Sequence, residues 1–175
     1  DLYLSVDHLL ALFPFEKEFF AKYGIECSFV GHPVVELRKE KVKGGATFRE
    51  CFKIDKKAKL LVVLPGSRRS EIKRHLPIFC DVLRNLLARA LNVHPVLVTI
   101  PDTVNDVKQE LLNWDLPVTL VDARENRFDV FAAADAALAV SGTVSLELAI
   151  AEVPSVIAYR TSILTAAIAR RMINI

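Results

Sequence analysis

The stretch LLVVLPGSRRSEIKRHLP, residues 60–77, passes from an apolar run through a glycine turn into basic residues. A continuous run rich in Leu and Val is typical of a strand that is buried on both faces of a parallel sheet. In an open α/β sheet, ligands bind beyond the carboxyl ends of the strands. The stretch therefore predicts a strand over Lys59–Leu64 whose following turn either faces a ligand or is a solvated surface loop.

The rest of the chain alternates short apolar runs with amphipathic segments. After residue 58 we predict strands over 59–64, 96–100, 117–121, 136–140 and 155–159. The helices between and after them are predicted over 77–91, with Pro77 as first residue, and over 103–114, 126–134, 143–151 and 162–172. Five strands that alternate with helices indicate an α/β fold, in which a parallel sheet carries helices on both faces.

Two other parts of the chain are less regular. Residues 1–35 predict a strand over 6–13, a helix over 15–23 and a second strand over 27–30. Residues 36–58 are rich in lysine and contain a Gly-Gly pair, which indicates a polar linker or an exposed, partly helical connector. Because the chain has no initiator Met and stops just after a helical pattern, we expect it to be a fragment of a larger protein.

The composition bounds the classes of function. The 175 residues are 52% hydrophobic and 25% charged with a formal net charge of +2, which is typical of a globular domain. This balance gives no reason to expect a nucleic-acid partner. Cys27, Cys51 and Cys80 lack the spacing of a zinc site, so a reduced compartment is expected. The histidines share no ligand spacing either, and we expect no metal site.

The first candidate site is the turn after the strand 59–64. Gly66 leaves room for a ligand, the Ser67 hydroxyl and nearby N–H groups can donate to phosphate oxygens, and Arg68 offers a bidentate guanidinium. Neither a GxGxxG loop nor a Walker loop is present, so no standard dinucleotide or nucleoside-triphosphate loop is available. The alternative is a surface turn with solvated arginines.

The second candidate site is the turn after the strand 136–140, formed by Ser141, Gly142 and Thr143 at the start of a helix. Free N–H groups at a helix start suit an anion. Glu147 can accept hydrogen bonds from a ribose diol, or it only complements the helix dipole while Thr143 caps the helix. Both turns on one sheet favour a ligand with a diphosphate and a sugar. We find no acid–base dyad, and Ser141 lacks the GxSxG elbow of a nucleophile.

Three segments carry a resemblance to a known family. PFEKEFFAKYGIECSFVGHP (14–33), LPGSRRSEIKRHLPIF (64–79) and DAALAVSGTVSLELAIAEVPSVIAYR (135–160) are similar, in this order, to lipid-A-disaccharide synthases. The resemblance implies a GT-B glycosyltransferase with two Rossmann-like domains. Residues 1–35 would then end the N-terminal domain, and 59–175 would form the truncated, UDP-sugar-binding C-terminal domain after the linker 36–58.

The resemblance also implies an activity. The family transfers 2,3-diacylglucosamine from its UDP donor to 2,3-diacylglucosamine 1-phosphate, which yields lipid A disaccharide 1-phosphate and UDP. It implies no metal or cofactor, and no catalytic residue in this chain, because the catalytic carboxylate is expected upstream. The donor-binding fragment is therefore expected to be inactive alone. Because UDP-diacylglucosamine and the acceptor are lipids, a cytoplasmic enzyme, peripheral to the inner membrane of a Gram-negative bacterium, is implied.

Residue by residue, the resemblance assigns Gly66, Ser67 and Arg68 to a GSR loop, with the arginine near the donor diphosphate. The turn 141–143 matches an SGT turn, and Glu147 matches a glutamate that faces ribose hydroxyls. Tyr159–Arg160 matches a pair without an assigned role.

Rival interpretations stay open. One is another UDP-sugar enzyme of the same fold, such as UDP-GlcNAc 2-epimerase or the peptidoglycan glycosyltransferase, which should have a glycine-richer turn at 141–143. Another is a non-enzymatic nucleotide-binding module, and a third is that the basic turn contacts anionic lipid headgroups. The sequence does not fix an oligomeric state.

Overall fold

The computed structural model describes residues 6–37 and 44–161, which belong to two compact units that divide between Lys41 and Val42. The first unit has a pair of parallel strands with a helix between them and a short helix after them: β1 (Leu9–Ala11), α1 (Pro14–Ala21), β2 (Cys27–Phe29) and α2 (Val34–Leu37). The predicted strand 6–13 is thus shorter. The amides of Leu12 and Phe13 both donate to Oε2 of Glu16, each at 2.9 Å, so the chain leaves the sheet there to begin α1.

The second unit is built on one five-stranded sheet in which every neighbouring pair is parallel. Its strands are β3 (Lys59–Leu64), β4 (Val93–Thr99), β5 (Thr119–Asp122), β6 (Ala136–Val140) and β7 (Ser155–Ala158). The strand order is β5-β4-β3-β6-β7, so β3 is central. The chain first extends the sheet on one side of β3 and then on the other, which places a topological switch point between β3 and β6.

Helices cover both faces of this sheet: α3 (Gly45–Cys51), α4 (Arg69–Ala88), α5 (Val104–Leu111), α6 (Ala123–Ala133) and α7 (Val144–Ile150). Along β3, Leu60, Val62 and Leu64 point to a core that contains side chains of α3, α6 and α7. Val63 points to the opposite core, which contains side chains of α4 and α5. The predicted α/β fold with helices on both faces of a parallel sheet is confirmed.

The start of α4 differs from the prediction. The helix begins at Arg69, not at Pro77, and it includes the basic residues that the prediction left before the helix. An interior proline costs a helix about 3 kcal/mol because it removes a hydrogen bond and crowds the preceding turn. Each large buried apolar side chain contributes about 1.5–3 kcal/mol, and α4 buries several on both sides of the proline: Ile72, Leu76, Phe79 and Leu83. Burial therefore outweighs the proline.

Residues 36–58 were predicted as a polar linker or an exposed, partly helical connector, and their described part is partly helical but not fully exposed. Residues 44–58 belong to the second unit and contain α3, which packs against α6. Phe48 is buried there and lies 4.5 Å from Phe52, ring centroid to ring centroid. A Cβ atom on Gly45 would lie 2.3 Å from the carbonyl oxygen of Ala132, so this close packing of α3 requires glycine. The predicted helix 162–172 lies outside the described residues.

An ionic cluster joins α3 to the start of β3 and β6. The Asp135 carboxylate accepts hydrogen bonds from Arg49 Nη2 at 2.9 Å, Lys59 Nζ at 2.8 Å and the Leu60 amide at 2.8 Å. Arg49 also donates to the carbonyl oxygens of residues 58 and 133. Partial burial raises the pKa of Asp135, but these hydrogen bonds and the charges of Lys59 and Arg49 outweigh burial and hold the pKa below its ordinary value.

This cluster predicts a pH-dependent loss of stability in the variant Asp135→Asn. We expect the free energy of unfolding to fall by about 2 kcal/mol at pH 7, because the amide cannot replace three charge-assisted or backbone hydrogen bonds. The pKa of Asp135 is lower in the folded chain than in the unfolded one. Its contribution is therefore complete above the unfolded-state pKa and disappears as the pH falls through the folded-state pKa.

Urea unfolding of the two proteins across this pH range measures the effect. Asp81→Asn, on the exposed side of α4, is the matched control and should change stability little. A difference between Asp135→Asn and wild type that is the same at pH 7 and pH 3 would show that the charge is not the cause.

Candidate functional site

A cavity of about 360 Å³ lies at the carboxyl edge of the sheet, where β3 and β6 end side by side. This is the switch point of the strand order, where open α/β sheets bind their ligands. The turn after β3 forms one wall, the turn after β6 forms another, and Arg127 from α6 closes the space beside Glu147. All the predicted site residues line this one cavity: Gly66, Ser67, Arg68, Ser141, Gly142, Thr143 and Glu147.

The first turn is shaped by Glu71, a residue that sequence reasoning missed. Its Oε2 accepts hydrogen bonds from the amides of Ser67 at 3.0 Å and Arg68 at 3.3 Å, and its Oε1 accepts one from Arg68 Nη1 at 2.9 Å. Partial burial raises the pKa of Glu71, but these hydrogen bonds and the Arg68 charge outweigh it and hold the pKa below its ordinary value. The turn amides that were predicted to receive phosphate thus already have an anionic partner.

Gly66 is required by the protein itself. Its φ of 110° lies in the region that favours glycine, and a Cβ atom there would lie 2.7 Å from Cβ and 2.6 Å from Oε2 of Glu71. Gly142 differs, because its φ is not positive and a Cβ atom would meet nothing within 4 Å. Neither the backbone conformation nor the packing requires glycine at 142. A side chain at this position would instead occupy part of the open cavity.

The two neighbouring arginines of the first turn lie in different surroundings. Arg68 lines the cavity with its side chain 78% exposed, so its guanidinium is accessible to a ligand. Arg69 Nε instead pairs with Asp106 of α5 at 3.2 Å, and Arg69 does not line the cavity.

The second turn leads into α7 and places Glu147 deep in the cavity. Glu147 is only 7% exposed, and its Oε1 accepts a hydrogen bond from Arg127 Nη1 at 3.1 Å. Its Oε2 and the Nε of Arg127 have no hydrogen-bond partner among the described residues. Burial raises the pKa of Glu147 above its ordinary value, although the charge of Arg127 opposes this. Thr143 makes no side-chain capping hydrogen bond, so the alternative of a simple helix cap is not what the structure shows.

A buried carboxylate oxygen without a partner is costly, and such atoms are rare in proteins. Arg127 was missed because nothing in the local sequence around it points to Glu147, which lies 20 residues further along the chain. Together the cavity offers an accessible guanidinium on one wall and an unpaired acceptor on the other.

Comparison with known proteins decides the family. Residues 2–175 match the family model of lipid-A-disaccharide synthetase. The chain belongs to this family. Curated lipid-A-disaccharide synthases from Rhodospirillum centenum and Ruegeria pomeroyi are 44% and 42% identical to it over 97% of this chain. The chain spans 42% and 44% of their lengths, less than half of the relatives it matches. The predicted resemblance to this family is confirmed.

Solved structures agree with the fold of this chain. The UDP-GlcNAc 2-epimerase of Methanocaldococcus jannaschii, solved with UDP-GlcNAc and UDP, has a TM-score of 0.63 at 18% identity over 86% of this chain and 45% of its own. WaaG, a glycosyltransferase involved in lipopolysaccharide biosynthesis, has a TM-score of 0.50 at 19% identity over 87% of this chain and 44% of its own. These likenesses show the Rossmann-like α/β fold.

The histidines form hydrogen bonds within the chain. His75 is 1% exposed. Its Nδ1 donates to the Glu71 carbonyl oxygen at 2.8 Å, and its Nε2 accepts the Arg160 amide at 2.9 Å. His32 accepts a hydrogen bond from the Val34 amide at Nδ1. Among the described residues there is no group of three or more potential metal ligands of the His, Cys, Asp and Glu types.

We expect substitution by alanine to change stability much more at Gly66 than at Gly142. Gly66→Ala should lower the free energy of unfolding by about 2 kcal/mol or more, because it adds both a positive φ for a residue with a Cβ atom and a steric conflict with Glu71. Gly142→Ala should change stability by less than about 0.5 kcal/mol. Chemical denaturation of both variants measures this, and equal losses would contradict the interpretation of the two turns.

Glu147 predicts a stability change that depends on pH in the opposite sense to Asp135. Its pKa is raised in the folded chain, so the carboxylate destabilises the fold above that pKa and the cost disappears as the pH falls. Glu147→Gln should therefore be at least as stable as wild type at pH 8, with an advantage that shrinks toward pH 5.

Thermal unfolding at several pH values measures this advantage. Glu125→Gln, on the exposed side of α6, serves as the control. A Glu147→Gln protein that is clearly less stable than wild type at pH 8 would identify the carboxylate as a structural group instead.

Proposed function

We propose that the second unit of this chain holds the UDP part of a UDP-sugar donor, within a full-length lipid-A-disaccharide synthase. The observation that carries the proposal is the pairing, in one cavity, of an accessible Arg68 with a buried Glu147 whose Oε2 has no hydrogen-bond partner among the described residues. A guanidinium suits a diphosphate, and a free carboxylate oxygen suits the hydroxyls of a ribose. The volume of about 360 Å³ lies in the range of small-molecule sites.

The reaction proposed for the full-length protein follows from family membership. It transfers 2,3-diacylglucosamine from UDP-2,3-diacylglucosamine to 2,3-diacylglucosamine 1-phosphate and releases UDP. In this proposal the ribose hydroxyls donate to Glu147, and the diphosphate lies between Arg68 and the turn 141–143. Gly142 contributes by the absence of a side chain in front of that turn. The acceptor and the catalytic carboxylate are assigned to the part of the enzyme outside this chain.

The contribution of this site to rate is electrostatic. Breaking the bond between the sugar and the diphosphate places additional negative charge on the departing UDP. A fixed positive charge from Arg68 stabilises that charge more in the transition state than in the ground state.

The cellular place proposed for the full-length enzyme is the cytoplasmic side of the inner membrane of a Gram-negative bacterium. Its proposed donor and acceptor both carry acyl chains, which requires access to a lipid surface. Within the described ranges, no helix is long and apolar enough to cross a membrane. We propose peripheral contact as the mode of association, because the proposed substrates are lipids.

Arg68→Ala tests the proposal in the full-length protein. We expect at least tenfold weaker UDP binding by calorimetry and about a hundredfold lower kcat, because a charged donor to the diphosphate is lost. Arg69→Ala is the matched control, since Arg69 is adjacent, equally exposed and paired with Asp106 outside the cavity. Equal UDP binding by wild type and Arg68→Ala would overturn the assignment of Arg68. UDP binding without transfer to the acceptor would favour a nucleotide-binding module.

A further inference from the structure

The cavity contains an acidic side chain at a place where the proposed ligand is itself acidic. Its charged lining residues, among those described, are two arginines and two glutamates: Arg68, Arg127, Glu71 and Glu147. Glu147 is explained by the ribose under the proposed function. Glu71 is not, because it belongs to the turn that is expected to receive the diphosphate, where a second negative charge is repelled.

The contacts of Glu71 show a side chain that is built into the turn. Both carboxylate oxygens are used, Oε2 by the amides of Ser67 and Arg68 and Oε1 by the Arg68 guanidinium. Its side chain is only 15% exposed, whereas that of Arg68 is 78% exposed. Gly66 leaves no room between its backbone and the Cβ of Glu71, since an added Cβ atom would lie 2.7 Å away. Glu71 is thus packed beneath the turn.

We propose that Glu71 is a positioning residue that fills the anion position of the turn from inside the protein and thereby holds Arg68 ready for the diphosphate. This inference rests on the proposed function. The amides of Ser67 and Arg68 then serve Glu71, and the ligand is received by the Arg68 guanidinium and the Ser67 hydroxyl. The hydrogen bond to Glu71 uses one of the five N–H donors of the guanidinium, so the others stay available.

The benefit to binding is that the long side chain of Arg68 is already ordered before the ligand arrives. A free arginine loses much rotamer freedom when it binds a phosphate, and a contact that orders it beforehand removes part of that cost. The opposite possibility is that the Glu71 carboxylate occupies the anion position only in the free protein and is displaced when a phosphate binds. The two possibilities predict opposite changes in diphosphate affinity. Removal of a residue that positions Arg68 weakens diphosphate binding, whereas removal of a competing anion strengthens it.

The experiment uses the full-length protein with Glu71→Gln and Glu71→Ala, and UDP as the probe in calorimetry. We expect Glu71→Ala to weaken UDP binding about tenfold and Glu71→Gln to weaken it less, because the amide keeps one acceptor oxygen. The double variant Arg68→Ala, Glu71→Ala should bind UDP no worse than Arg68→Ala alone, since Glu71 acts through Arg68. Unchanged or tighter UDP binding in both Glu71 variants, or losses that add in the double variant, would overturn the proposal.

Asp81→Asn is the matched control, because Asp81 and Arg84 form a pair with the same spacing on the same helix, at 3.5 Å and outside the cavity. It should leave UDP binding unchanged. Amide hydrogen exchange at Ser67 and Arg68 provides a readout that needs no ligand, and it should accelerate in Glu71→Ala and not in Asp81→Asn. If wild type binds no UDP, the proposed function is wrong. Unchanged exchange at these amides in Glu71→Ala would instead refute the positioning role of Glu71.

Discussion

The pairing of β3 with β6 is the constraint on which the site depends. Leu64 lies opposite Ala139, so the two strands end within one residue of each other at the same edge of the sheet. Each strand is followed after two residues by a glycine, Gly66 in one case and Gly142 in the other. Because the remaining strands extend the sheet away from this pair on both sides, the crevice between the two turns stays open. Parallel pairing thus joins two distant sequence segments into one cavity.

The two carboxylates of this cavity have pKa values that are shifted in opposite directions, because burial prevails at Glu147 whereas hydrogen bonds and the Arg68 charge outweigh burial at Glu71. Glu71 accepts three hydrogen bonds, two of them from backbone amides, and its pKa is lowered. Glu147 accepts one, from Arg127, and burial raises its pKa. A satisfied carboxylate is a structural partner, whereas a buried carboxylate with an unused oxygen is prepared for a donor that comes from outside.

The features that could be predicted from the sequence are those with a local signal. The apolar runs of β3 and β6 and the glycines after them are visible within a few residues, and they located all the predicted lining residues. The start of α4 was wrong because the rule for proline is local, while the burial that overrides it at Ile72 and Leu76 is tertiary. The bounds of α3 were not predicted, because its surroundings are rich in lysine and only Phe48 of this helix is buried. Arg127 and Glu71 were missed because their importance lies in contacts that the chain makes only when folded.

The two glycines show how one residue type serves different purposes in one site. Glycine at 66 is required by its positive φ and by the side chain of Glu71 beneath it, so the conformation of this turn is set by the protein itself. Gly142 is constrained by neither, and its turn ends in a helix whose threonine makes no capping hydrogen bond. The first turn therefore carries its own anion and presents a side chain, whereas the second leaves backbone groups open beside the cavity. Under the proposed function, a ligand that is anionic in its middle and rich in hydroxyls at one end would contact both walls. A ligand with only one of these features would contact either the remaining N–H groups of Arg68 or the Oε2 of Glu147, and not both.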